Sequence, residues 1–131
     1  MVKIHFTFYK IKMETEKTKE PEILKDEALR TVSNLKFEDF ESFSYHNINF
    51  LLILVTKEDI SGPGNQEEIF LSASTATRGF DIYMLDTLSI EDKKRRIFHE
   101  IIEADLRKQG FGEGSHELAL KTEVDIFGER K

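Results

Sequence analysis

Apolar and polar positions alternate along residues 2–13, VKIHFTFYKIKM, where Val2, Ile4, Phe6, Phe8 and the Ile11/Met13 pair point roughly one way. A period of two predicts a half-buried strand, and the slip near Tyr9-Lys10 marks a bulge. After a charged turn over residues 14–20 the period changes. In PEILKDEALRTVSNL, Ile23, Leu24, Ala28, Leu29 and Val32 recur at helical spacing behind Pro21, a favourable residue at a first helical position. This predicts a helix of about four turns. NINFLLILVTKE, residues 47–58, is continuously apolar in its middle and predicts a central strand covered on both faces. SGPGN, residues 61–65, is a turn by its glycine and proline content. EEIFLSASTAT and GFDIYMLDTL predict two further strands broken at Arg78-Gly79, and short connections favour antiparallel pairing.

Ser89 with Asp92 three residues on forms a variant capping box, from which a helix should run to about Gln109 and stop at Gly110. Ser115 is placed to cap a last helix, about His116 to Phe127. The element order β-α-β-β-β-α-α predicts an α+β fold over a single domain, residues 1–131. Its small, mostly antiparallel sheet should pack against an N-terminal helix and a C-terminal helix pair.

A helical wheel at about 100 degrees per residue sharpens the last two elements. Ile97, Phe98, Ile101, Ile102, Ala104 and Leu106 fill one arc of the long helix. His99 and Glu103 lie side by side at its edge, four apart and able to reach one point. On the last helix, Leu120, Val124 and Phe127 centre the apolar face, and His116 and Glu123 fall inside the same arc. An inward-facing imidazole and carboxylate need partners. The connection between the helices is short, so they should be antiparallel neighbours that bring His116 toward His99 and Glu103.

The chain has no cysteine, which excludes disulfides and thiolate ligands, so a metal would need His, Asp or Glu. His99, Glu103 and His116 would give two nitrogens and one oxygen, with a fourth position left for water. Glu100 would act as general base toward that water. Glu123 would be a fourth ligand or an acceptor that orients a histidine. Zinc suits this set, and a carboxylate-rich site also accepts manganese or iron. The alternative is a hydrogen-bonded polar network that only fixes the packing of the two helices. His5, on the outward side of a strand, and His46, in a Tyr-His-Asn turn, look ordinary.

Composition narrows the partners. The net charge of −6 and pI of about 5.3 disfavour nucleic acid and membrane surfaces, so the expectation is no nucleic acid and no membrane. The one basic run, Lys93-Lys94-Arg95-Arg96, is bounded by acids. No apolar run is long enough to span a bilayer, and no signal segment is visible, which makes the cytoplasm the default compartment. GFGEG, residues 110–114, follows a helix and lacks the phosphate-loop lysine, so it does not support nucleotide binding.

FDIYMLDTLSIEDKKRRIFHEIIEAD, residues 80–105, resembles the zincin metallopeptidases in its strand, short turn and helix carrying His-Glu near the middle. The chain is also similar to small bacterial and phage proteins with HE-x-x-E-A and a downstream H-x-x-A-x-x-x-E, matched here by His116, Ala119 and Glu123. The resemblance implies a zincin-like fold, His99 as a zinc ligand, Glu100 as catalytic base, and the 80–85 strand as the place where an extended peptide or protein substrate lies. Glu103 stands where the second zincin histidine belongs, which adds negative charge and makes a bound water less acidic. A metal-dependent, peptidase-like hydrolase therefore stands beside a noncatalytic binding module with the same fold. A purely structural domain that dimerises through the Phe-rich N-terminal strand needs no site at all.

Overall fold

The structure, a computed structural model, describes residues 20–56, 58, 69–74 and 79–130. The N-terminal strand over 2–13, His5 and the turn at 61–65 lie outside the described residues. The elements are α1 (Lys25–Asn34), β1 (Glu41–Tyr45), β2 (Ile48–Val55), β3 (Ile69–Ser74), β4 (Gly79–Leu85), α2 (Ile90–Lys108) and α3 (Gly114–Phe127). They form an α+β fold with a four-stranded mixed sheet in the order β1-β2-β4-β3.

Strand β1 is an addition to the sequence reading. It pairs antiparallel with β2, Tyr45 opposite Ile48 and Phe43 opposite Phe50. His46 and Asn47 form the two-residue tip with φ of 47° and 65°. Positive φ at both positions gives the twist that a tight hairpin requires.

The pairing of β2 with β4 departs from the expected antiparallel arrangement. It is parallel, from Phe50 opposite Phe80 to Val55 opposite Leu85. The chain leaves β2, places β3 on the far side of β4, and returns through an antiparallel β3–β4 pair. Two reversals restore the direction of β2. Two of the three pairings are still antiparallel. At the start of β4 the backbones come close, since a Cβ on Gly79 would sit 1.8 Å from the Asn49 carbonyl oxygen. Only glycine fits there.

One face of the sheet carries the core. Ile48, Phe50 and Leu52 of β2 and Ile82 and Met84 of β4 are buried with Ile97, Phe98, Ile101, Ile102 and Leu106 of α2. Each such side chain contributes roughly 1.5–3 kcal/mol by leaving water. Phe43, Phe50 and Phe80 stack across three strands, with centroids 5.3 and 5.9 Å apart. Leu51, Ile53 and Val55, on the opposite face, are only half-buried, so β2 is central but not equally covered on both faces.

Helix α2 follows its sequence signals. The Ser89 hydroxyl accepts the Asp92 N–H at 3.1 Å. At the other end Gly110 has φ of 99°, its N–H reaches the Arg107 carbonyl, and the Phe111 N–H reaches Leu106. That pair of bonds is a Schellman stop. Acids in the first turn and Arg107 and Lys108 in the last complement the helix dipole.

Helix α1 starts later than Pro21 suggests. Gln109 pairs with both backbone groups of Glu22, accepting from N–H at 2.9 Å and donating to C=O at 2.7 Å. The Leu24 N–H is held by the Tyr45 hydroxyl at 3.2 Å. These bonds hold residues 21–24 as a strap on the end of α2 instead of a first helical turn. Burial pushes the Tyr45 hydroxyl up to about 12.

Helix α3 is turned relative to the expected face. Ser115, Ala119, Thr122 and Glu123 are its buried residues, and Leu120 is exposed. Small side chains let α3 lie close to α2, so close approach rather than bulk selects the buried stripe. Ser115 is not the cap. Among the described residues, the helix begins at Gly114 with no side-chain cap, and the Ser115 hydroxyl is buried without a hydrogen-bond partner. Among the described residues no helix is long and apolar enough to cross a membrane.

Candidate metal centre

Helices α2 and α3 run in opposite directions along their contact. Glu103 meets His116 near one end, while Arg95 meets Glu123 and the Gly128 carbonyl near the other. The Gly110 stop makes this reversal, and it brings His99, Glu103 and His116 together.

Their ligand atoms converge. His99 Nε2 lies 3.1 Å from Glu103 Oε1 and 3.3 Å from His116 Nδ1, and His116 Nδ1 lies 2.8 Å from Glu103 Oε1. It is the one group of three or more such residues among the described residues whose ligand atoms converge within 4.8 Å. Zinc bonds of about 2.0–2.1 Å at tetrahedral angles separate neighbouring ligand atoms by roughly 3.3–3.4 Å. The trio is close to that spacing already, and a few tenths of an ångström of opening would complete it.

Burial grades across the trio. The side chain of His99 is 3% exposed, that of Glu103 16% and that of His116 59%. His116 was expected on the apolar face. It instead sits at the exposed edge of the buried stripe and turns Nδ1 inward. The centre is thus closed on the His99 side and open to solvent at His116.

Glu123 stands behind His99, on the other ring nitrogen. Its Oε1 is 3.0 Å from His99 Nδ1. Arg95 Nε donates to Oε2 at 2.7 Å, and Arg130 donates to Oε2 and Oε1 at 2.8 and 2.6 Å. The carboxylate is fully buried. Burial alone would raise its pKa, but Arg130, His99 and Arg95 outweigh that and hold it well below the usual carboxylate range. An ionised Glu123 fixes the proton of His99 on Nδ1 and leaves the Nε2 lone pair facing Glu103 and His116. Both of those atoms then act as acceptors, and the His116 Nδ1–H is the donor that can serve them. A cation would take the place of that shared proton.

Glu103 has its own support. Arg107 Nε donates to its Oε2 at 3.3 Å, which leaves Oε1 for the histidines. Burial pushes the Glu103 carboxyl up, and its contacts with the His116 and His99 rings outweigh it, for a net lowering. For His99, burial opposes the charged ring, yet Glu123, Glu100 and Glu103 together raise it. Glu100 differs from its neighbours. It makes no hydrogen bond among the described residues, and burial pushes its carboxyl above the ordinary range despite the nearby His99.

The chain matches no protein-family model, no curated protein and no solved structure.

Arg95, Arg107 and Arg130 were not singled out by sequence reasoning. The usable signal was the inward-facing Glu123, which demanded cations, together with the 95–123 alignment that antiparallel helices impose. One reading drawn from the zincin resemblance is corrected. Strand β4 is paired on both sides, with β2 and β3, so it offers no free edge to an extended substrate. His46 also has a partner: its Nδ1 lies 2.9 Å from Asp105 Oδ2, which also accepts from Gln109 Nε2 at 3.0 Å.

Proposed function

We propose that this protein binds a divalent metal ion, zinc by preference, through His99, Glu103 and His116, and hydrolyses an amide bond of a peptide there. The observation that carries this reading is the convergence of two imidazole nitrogens and one carboxylate oxygen at 2.8–3.3 Å, from two helices. A fit of donor type supports it: a neutral Nε2, an aromatic Nδ1 and an anionic oxygen are zinc ligands, and Glu123 on His99 Nδ1 is the outer support such sites use. A zincin-like placement of the His-Glu pair on a helix packed against a sheet is part of the same reading.

A bound ion would act as a Lewis acid and lower the pKa of a water beside Glu100. Glu100 then takes the water proton and hands it to the leaving amine. Burial raises its pKa, which makes it a stronger base than a solvated carboxylate. His116 marks the solvent-facing side from which substrate arrives. Glu103 carries a negative charge that a histidine would not, so the bound water is less activated and manganese or iron competes with zinc.

A second reading, a noncatalytic binding module, draws on one observation: the trio is already hydrogen-bonded to itself and to Arg107. Elemental analysis after zinc addition and removal of excess tests the site, with His99→Ala as control. One equivalent retained by the wild type and lost by the variant is expected. A peptidase screen against Glu100→Gln then separates the readings. Activity that vanishes in Glu100→Gln while zinc stays bound supports the hydrolase. Zinc bound without turnover of any peptide supports the module.

A further inference from the structure

A cavity of about 400 Å3 opens between the start of β4 and the last turns of α2. Its floor is Ile48, Phe80 and Ala104, and Arg107 and Lys108 stand at its side. Arg107 belongs to both places, since its Nε also donates to Glu103. Ala104 lies one helical turn beyond Glu100, so the cavity continues the helix face that carries the proposed base. Through Arg107 and the Glu100–Ala104 turn the cavity is tied to the helix face that carries the site.

Apolar floor and cationic wall call for a ligand with an apolar side chain and an anion a few ångströms apart. Arg107 has donors to spare beyond Nε, and a guanidinium matches a carboxylate. We propose that this cavity holds the C-terminal residue of a peptide: its apolar side chain on Ile48, Phe80 and Ala104, and its free carboxylate against Arg107 and Lys108. The inference rests on the hydrolytic reading above and names its substrate class. The reaction is release of an apolar C-terminal amino acid. Water adds its oxygen to the last peptide carbonyl carbon, the C–N bond breaks, and the water proton held by Glu100 passes to the departing nitrogen. A shortened peptide carboxylate and a free amino acid result.

The test uses the full chain, metal-free and zinc-loaded, with N-acetyl-L-phenylalanine and its carboxamide as binding probes. Benzoyl-glycyl-L-phenylalanine and its carboxamide serve as substrates. Binding of the free acid at least tenfold tighter than the amide is expected in both metal states, with amide chemical-shift changes at Ile48, Gly79 and Ala104. Only the free-acid substrate should be cleaved. The preference should collapse in an Arg107→Gln, Lys108→Gln variant whose fold is unchanged by circular dichroism. Equal binding of acid and amide, or shift changes elsewhere, would overturn the pocket even if zinc binds and a peptide is cut. Acid-selective binding without zinc retention would overturn the hydrolytic assignment, and with it the substrate class. The metal-free binding comparison keeps the two failures distinguishable.

Discussion

Two of the histidine–carboxylate pairs that involve helix α2, His99–Glu123 and His46–Asp105, do different things. His99 meets Glu123 at 3.0 Å, and His46 meets Asp105 at 2.9 Å, in both cases through Nδ1. Both carboxylates are buried. The difference lies on the remaining nitrogen and on the carboxylate's other partners. His99 Nε2 faces two further ligand atoms, and Glu123 is neutralised by two arginines. Asp105 is shared with the Gln109 amide, and that amide ties the strap at Glu22. One pair backs the convergent trio, the other makes a joint between the hairpin tip, α2 and the strap. On the proposed metal-binding reading, the same contact becomes ligand support only where a second convergent group waits on the far side of the ring.

Substitutions can break this comparison. The largest effect is expected from His99→Ala, which should remove all bound zinc, while His46→Ala should retain one equivalent by elemental analysis. Zinc retained by His99→Ala would place the ion elsewhere. Next, Glu123→Leu should destabilise the fold by about 3 kcal/mol, because it leaves the largely buried Arg95 without its carboxylate, while Arg130, 40% exposed, can turn to solvent. Asp105→Asn should cost only about 1–3 kcal/mol, the scale of a weakened buried hydrogen bond. Urea unfolding of the metal-free proteins measures both, and similar losses would erase the distinction between them.

A finer change is Glu123→Gln, which keeps an acceptor for His99 and removes the charge. It should weaken zinc binding about 10–100-fold by competition titration, the usual effect of an outer-sphere partner. An unchanged affinity would mean that Glu123 only fixes packing. The smallest effect concerns pH. The Asp105 hydrogen bond raises the His46 pKa. A raised folded-state value adds stability that is fully present below the unfolded value of about 6.5 and is lost as pH rises through the folded one. The stability gap between wild type and His46→Gln should therefore be larger at about pH 5.5 than at about pH 8.5. A gap that widens with pH would show that the imidazole is held neutral.

Much of the site was legible because helices repeat simply. Four-residue spacing placed Glu103 beside His99, and a short connection ending at Gly110 made the helices antiparallel, which sufficed to bring in His116 and Glu123. The turned face of α3 was not legible, because small residues such as Ala119 gain burial by close approach and a hydrophobicity arc undervalues them. The sheet was harder. Strand β1, ESFSY, is short and its serines mute the alternation of Phe43 and Tyr45, although a Tyr-His-Asn tip between two alternating runs was a usable hairpin signal. The parallel β2–β4 pairing depends on which edge β3 takes, and no local pattern encodes that. Arg130 reaches Glu123 from beyond the end of α3, where periodicity says nothing.

The parallel pairing also bears on the order of folding events. Phe50 and Phe80 must find each other across thirty positions of chain, with β3 formed on the way. The α2–α3 contact closes a five-residue connection between Lys108 and Gly114. Local contacts form early and distant strand registers late. The helical hairpin with its convergent side chains should therefore assemble before the sheet, and on the proposed metal-binding reading an ion present during refolding would meet His99, Glu103 and His116 first and act as a nucleating template.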